Sequence, residues 1–176
     1  MNNSYIRAIA FLLFTHASSQ VLALTSQSDA PIRIQSDTAE LNAEKDFAIY
    51  KGDVIVTQNG SMLKAEKVII YRSNGALNKI EAFGDPAQFS QPADETNPEI
   101  HAYGKVITYS KDSDTLKLEQ NARFVQKNNS ITGDVIEYDT QKRIAKASGN
   151  KASKERVDII FNPTPKTEST NKSPAQ

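Results

Sequence analysis

Between residues 24 and 176 there is a single imidazole, His101, and a reaction that needs a nitrogen base or metal ligand near neutral pH would run through it. The sequence shows no neighbouring carboxylate at ligand spacing, so His101 reads as a strand-surface residue. Glu66 and Asp134 hold matching positions in an internal repeat and read as corner residues that cap exposed amides, not as an acid and base pair. No nucleophile elbow, phosphate-cradling glycine loop or paired-carboxylate motif is present. The chain has no cysteine, which rules out disulfides and a thiolate metal site. No catalytic residue, metal site or cofactor motif is therefore expected, and what the chain offers a partner is apolar surface.

The 176 residues are 38% hydrophobic, 7% aromatic and neutral overall, which fits one ordinary domain. The start differs from the rest: Arg7, an apolar run from Ala8 to Phe14, and the small-residue exit Val21-Leu22-Ala23. That order is a secretory signal peptide over residues 1–23, because the apolar run is far short of the ~20 residues a membrane span needs. Removing it leaves 153 residues (176 − 23) with 20 basic and 21 acidic side chains, so bulk attraction to nucleic acid is not indicated. No later stretch is apolar enough to stop transfer, and an exported, soluble product is expected. The ending "NPTPKTESTNKSPAQ" has almost nothing to bury and predicts a disordered polar tail over 163–176, leaving 24–162 for the domain.

The elements that must carry the apolar residues show as repeats. One pattern, apolar-x-small-x-x-apolar-x-apolar, occurs four times: from Ile34 through Ser36 and Ala39 to Leu41, from Leu63 through Ala65 and Val68 to Ile70, from Ala102 through Gly104 and Ile107 to Tyr109, and from Ile131 through Gly133 and Ile136 to Tyr138. The starts are 29, 39 and 29 residues apart, so the first pair maps onto the second with an offset of 68, giving two similar halves. A second phrase, Val54, Val56 and Gln58, falls on Ala122, Phe124 and Gln126 by the same offset, while Ala87, Phe89 and Gln91 read as the link between halves.

Alternation places side chains on one face of a strand, but three positions separate each small residue from the next apolar one. Without a bulge or corner the last two apolar residues would point to the opposite face. "SNG" at 73, "GDP" at 84, "KDSD" at 111, "KNN" at 127 and "SGN" at 148 read as turns between short strands. The polar segment "TAELNAEKD" is assigned by the repeat to a strand and turn, so almost no helix is expected.

With "GDVIVTQ", "KAEKVIIY", "IEAFGDPAQFSQ", "ITGDVIEYD" and "RVDIIF" in this order, the sequence resembles the LptA/OstA-like family of periplasmic lipopolysaccharide transport proteins from about Ile32 to Pro163. The resemblance implies an all-β antiparallel jelly roll, open-ended and V-shaped in section, that binds lipopolysaccharide through its lipid A acyl chains. It also implies head-to-tail homo-oligomers bridging an LptC-like inner-membrane partner to an LptD-like outer-membrane translocon in the periplasm of a Gram-negative bacterium. By the resemblance, lining positions fall on Ile32, Phe89 and Tyr109; the alternation adds Ile34, Val54, Val56, Leu118 and Phe124. Alternation alone does not separate a lipid lining from a closed core. Gln58, Gln91 and Gln126 return regularly and suit rim or strand-end positions that bond a neighbouring backbone.

Charge is uneven along the chain. From Asp29 to Asp53 six acids face Arg33, Lys45 and Lys51, whereas Lys142 to Arg156 holds six basic residues against Glu155. A basic C-terminal end meeting the acidic N-terminal end of the next unit is one reading; solvated strand ends or contact with lipid phosphates is the other. Two further functions suit the same pattern: a β-scaffold that assembles with a membrane barrel without carrying lipid, and a periplasmic carbohydrate-processing β-domain.

Overall fold

The computed structural model describes residues 30–95 and 97–163, so the expected signal peptide and all but the first residue of the expected tail lie outside the described residues. Ten strands follow in order: β1 (Arg33–Gln35), β2 (Thr38–Asn42), β3 (Phe47–Gln58), β4 (Ser61–Ser73), β5 (Ala76–Gln91), β6 (Ile100–Ser110), β7 (Thr115–Gln126), β8 (Asn129–Asp139), β9 (Ile144–Ser148) and β10 (Asp158–Ile160). They form one antiparallel sheet in the order β1-β3-β4-β5-β6-β7-β8-β10, with β2 also on β3 and β9 also on β8. No helix occurs among the described residues, and "TAELNAEKD" is β2 and its following turn.

The pairing is interrupted along one line. Register shifts fall between Lys51 and Val54 on β3, Lys64 and Lys67 on β4, Phe83 and Ala87 on β5, Tyr103 and Val106 on β6, and Glu119 and Ala122 on β7. At the margins the same line separates β1 from β2 and β9 from β10. Extra residues in odd number reverse the phase of β4, β5, β6 and β8 at the crossing, whereas the two-residue insertions on β3 and β7 keep theirs. Those four inserted residues, Gly52, Asp53, Gln120 and Asn121, have positive φ. Ala65, Gly104 and Gly133, small in three of the four repeat copies, lie on this seam, and Ser36 lies in the gap between β1 and β2.

The phase reversal puts both apolar pairs of each copy on the same face. On one side of the seam Ala48, Ile70, Ile80, Tyr109, Leu116, Tyr138 and Ala145 are successive cross-strand partners, and beside them run Tyr50, Val68, Ala82, Ile107, Leu118, Ile136 and Ala147. On the other side Ile34, Val56, Leu63, Phe89, Ala102, Phe124, Ile131 and Ile159 form the matching row. The two arms fold toward each other. Phe124 pairs with Ile131, seven residues from Tyr138 on β8, a span of about 23 Å in a straight strand. Yet the Phe124 and Tyr138 ring centroids are 4.7 Å apart. Leu118, Ile136, Val54 and Val68 close the angle as the largest fully buried side chains. Each contributes about 1.5–3 kcal/mol of burial.

Two sequence expectations need correction. "GDP" is no turn: β5 runs through Gly84, Asp85 and Pro86, which bulge at the seam. Ala87, Phe89 and Gln91 are not a link, because that stretch pairs with both β4 and β6 and is a third copy of the rung on β3 and β7. "SNG" does turn, with Asn74 and Gly75 both at positive φ, as do Asn59 and Gly60 between β3 and β4, the pattern of tight two-residue hairpins. "KDSD", "KNN" and "SGN" also lie at strand ends.

The outer face carries charge. Glu81 accepts from Lys79 Nζ at 2.8 Å and from Tyr71 Oη at 2.9 Å, with the ammonium 4.2 Å from the Tyr71 ring centre. Burial pushes the Glu81 carboxyl up, but the Lys79 and Tyr71 hydrogen bonds, with the charges of Lys79 and Lys67, outweigh it and hold the carboxyl below its ordinary value. The folded state therefore binds this proton less readily than the unfolded chain. The resulting stability is present at neutral pH and lost as pH falls through the lowered value. Glu81→Gln should lower stability by about 0.5–1 kcal/mol at neutral pH, with the difference disappearing at acid pH in urea titrations. At the seam, a Cβ on Gly104 would lie 3.1 Å from the carbonyl oxygens of Glu119 and Val106, leaving no room without backbone movement. Gly104→Val should lower unfolding free energy by about 1–3 kcal/mol; an unchanged urea midpoint would contradict the close approach.

Candidate functional site

The apolar rows do not stay closed away from the seam. Between the far ends of the arms lies a cavity of about 550 Å³. One wall is Phe89 and Ile100, and the other is Tyr109, Leu116 and Tyr138. Gln58, Ser61 and Gln91 rim the first wall, and Thr140 and Gln141 rim the second. None of these side chains carries a charge. A space of this size with apolar walls and a few polar groups suits a ligand with extended apolar parts. Another depression, of about 310 Å³, lies outside the bend beside Asp53, Lys64, Glu66 and Asp85, and its charged border does not suit acyl chains.

The expected lining residues separate into three levels. Phe89 and Tyr109 are half-buried and line the cavity. Val56 and Phe124 are buried in the same cross-strand row as Phe89, and Val54 and Leu118 are sealed at the bend. Ile34 is half-buried against this core, while Ile32, before β1, is 39% exposed at the sheet margin. Sequence reasoning did not single out Ile100, Leu116 or Tyr138. The signal for Tyr138 was available, since it occupies in the fourth repeat copy the position that Tyr109 holds in the third, and Leu116 is the cross-strand partner of both.

The polar groups at the mouth are held by the hairpin ends. Asp114 accepts from Tyr109 Oη at 3.2 Å and from Gln141 Nε2 at 2.6 Å, and its backbone carbonyl accepts from Thr140 Oγ1 at 2.9 Å. Burial pushes the Tyr109 phenol above its ordinary value; Lys111 opposes this and Asp114 adds to it. The hydroxyl is therefore neutral at physiological pH. The glutamines end β3, β5 and β7. Gln58 bonds a backbone carbonyl, that of Ala30, at 2.9 Å, whereas Gln126 donates to Tyr138 Oη at 3.5 Å.

The polar residues considered first for chemistry are dispersed. Glu66 and Asp134 both lie on the seam, but on β4 and β8, four strands and roughly 19 Å apart across the sheet, so they cannot act as a pair. His101 does have a neighbouring carboxylate, contrary to the reading of the sequence: its Nε2 is 2.9 Å from Glu99 Oε1 on partly exposed surface. The residues are two apart on an extended chain, which brings alternate side chains to the same face. Among the described residues no three histidines or carboxylates gather as a metal site.

A family model described as LptA/(LptD N-terminal domain) LPS transport protein matches residues 33–144, the stretch that contains the seam and both walls of the cavity. The chain belongs to this family. It is 33% identical over 157 residues to the lipopolysaccharide export system protein LptH of Pseudomonas aeruginosa, covering 86% of this chain and 90% of the relative. With the LptA proteins of Haemophilus influenzae and Escherichia coli, identity is 35% over 151 residues and 32% over 164. These alignments cover 84% and 91% of this chain, and 86% and 87% of the relatives. The crystal structure of LptH, described as the LptA-homologous periplasmic component of the lipopolysaccharide transport device, superposes with a TM-score of 0.70 at 31% identity, covering 78% of this chain and 99% of that one. The LptA-like β-jelly roll is therefore the fold of this chain.

The levels within the slot predict a separation of stability from binding. Leu118→Ala should cost about 2–5 kcal/mol of unfolding free energy. Phe89→Ala, at a half-exposed wall, should cost less than half as much while reducing lipid capture more; equal stability losses would place Phe89 in the closed core instead.

Proposed function

We propose that the chain is a lipopolysaccharide-binding bridge protein of the periplasm, shielding lipid A acyl chains between its arms while sugars and phosphates stay in solvent. The carrying observation is the cavity walled by Phe89, Ile100, Tyr109, Leu116 and Tyr138, apolar within and uncharged at its rim. Acyl chains need no directional bond to be sheltered there, because apolar burial gains ~25 cal/mol per Å² whatever their position along the walls. A ligand held in this way can slide. Ile32, Ile34, Phe89 and Tyr109 make first contact, Val56 and Phe124 flank Phe89 in its row, and Val54 and Leu118 form the floor. Export by the 1–23 signal peptide brings the chain to this compartment. Movement of lipid depends on a partner that supplies energy.

The sheet margins support assembly into a bridge. Leu41 on β2, Ile144 on β9, and Ile159 and Ile160 on β10 with Phe161 beyond it are large apolar residues left exposed, all at one margin or the other. Unpaired strand edges are open to strand addition. The β1/β2 margin carries Asp37 and Glu40, and the β9/β10 margin Lys146 and Arg156, so opposite charges orient one unit's C-terminal edge on the next unit's N-terminal edge. Such a contact does not close on itself and makes a head-to-tail filament. LptC-like and LptD-like partners with the same kind of sheet would continue it at the two ends. A scaffold that carries no lipid would not require the uncharged, apolar slot.

A photoreactive residue in place of Phe89 should crosslink to lipopolysaccharide, whereas one at outward-facing Lys117 should not. Self-association followed by light scattering should weaken as salt rises. Crosslinking at Lys117 alone would contradict the slot, and salt-independent assembly would contradict the charge-oriented edges.

A further inference from the structure

The two halves of the repeat differ where the arms meet. Positions 124, 126 and 138 correspond to 56, 58 and 70 at the offset of 68. In the second half they are Phe124, Gln126 and Tyr138; in the first, Val56, Gln58 and Ile70. Phe124 and Gln126 belong to one arm and Tyr138 to the other. Their contact spans the opening: the two rings lie 4.7 Å apart with planes tilted by 33°, and the Gln126 amide donates to the Tyr138 hydroxyl at 3.5 Å. In the first half Gln58 turns instead to the Ala30 carbonyl, and position 70 has no hydroxyl to receive it.

Tyr138 also bounds the cavity. Its cross-strand partners are Leu116 within the cavity wall and Ala145 on β9, so it stands between the slot and the β9/β10 margin. Phe124 and Tyr138 are only 3% and 4% exposed, so the junction is filled. Ala145 and Ala147 beyond it are small, and their row is not blocked by bulk. The closure's polar part is light, one long neutral hydrogen bond, so the closure is held by the packing of two buried rings.

We infer that Tyr138, clasped by Phe124 and Gln126, is a positioning residue that closes the slot toward the β9/β10 margin and must swing away for lipid to pass to a neighbouring unit. This rests on the transport reading. The filled junction makes each unit hold its cargo until something acts at the C-terminal edge, and strand addition there would act through β8, which carries Tyr138 and pairs with both β9 and β10.

The absence of native cysteine makes the test direct. Gln126→Cys and Tyr138→Cys are introduced together and joined by a short, reductively cleavable thiol-reactive linker after lipopolysaccharide is loaded. Transfer to a second, differently tagged copy is then followed, with a photoreactive residue at Phe89 reporting lipid in the slot. Measured against the same double variant before joining, joining should not change Phe89 crosslinking or self-association, should slow transfer by about tenfold or more, and should be reversed by reduction. Tyr138→Phe, which keeps the ring and removes the hydroxyl, should speed transfer by about fivefold in a chain that still melts cooperatively. Transfer unchanged by joining, with lipid present at Phe89, would overturn the clasp. Absence of lipid at Phe89 before joining would instead overturn the transport reading.

Discussion

The structure depends on a conflict between the period of a β-strand and the spacing of its apolar residues. Side chains alternate faces with a period of two, yet each repeat copy changes phase after its small residue. In an unbroken strand one apolar pair would face solvent in every copy. The bulges at Ala65-Glu66, Gly84-Pro86, Gly104-Lys105 and Asp134 resolve the conflict on β4, β5, β6 and β8, and the phase-keeping insertions Gly52-Asp53 and Gln120-Asn121 match them on β3 and β7, because pairing passes each disruption to the neighbouring strand. The seam is thus a property of the whole sheet and a condition for having one apolar face.

Bending along that line has two outcomes at different depths. Near the bend the arms touch, and Val54, Val68, Leu118 and Ile136 pack as an ordinary core. Farther out the same alternating rows leave a slot between Phe89 and Ile100 on one arm and Tyr109 and Leu116 on the other, while Phe124 and Tyr138 still touch beside it. One set of side chains therefore supplies both the closed core and the walls of the open slot. The glutamines ending β3, β5 and β7 and the Asp114-held hydroxyl of Tyr109 finish the slot with neutral polar groups. The two sheet margins are left with exposed apolar residues and opposite charge.

Much of this could be read from the residues. The four copies with Ser36, Ala65, Gly104 and Gly133 at their bends announced the phase change, and the order of "GDVIVTQ", "KAEKVIIY", "IEAFGDPAQFSQ", "ITGDVIEYD" and "RVDIIF" carried the family resemblance. Three things were not legible. "GDP" has turn chemistry but lies between two strands that hold it in the sheet, so pairing overrides the local signal. Whether an alternating residue lines a slot or fills a core depends on what faces it across the bend, a tertiary relation that separates Phe89 from Phe124 in the same row and from Leu118 at the bend. The Glu99–His101 pair is two residues apart, and only an extended backbone brings the groups together.

The central claim is that acyl chains occupy the space between the arms. The most direct test is methyl NMR of the folded protein with lipopolysaccharide spin-labelled on an acyl chain. The account predicts broadening of the Ile100 and Leu116 methyls, on the slot walls, with Ile49 and Ile69 on the outer face unaffected. Broadening confined to Ile49 and Ile69, or equal at all four, would contradict it.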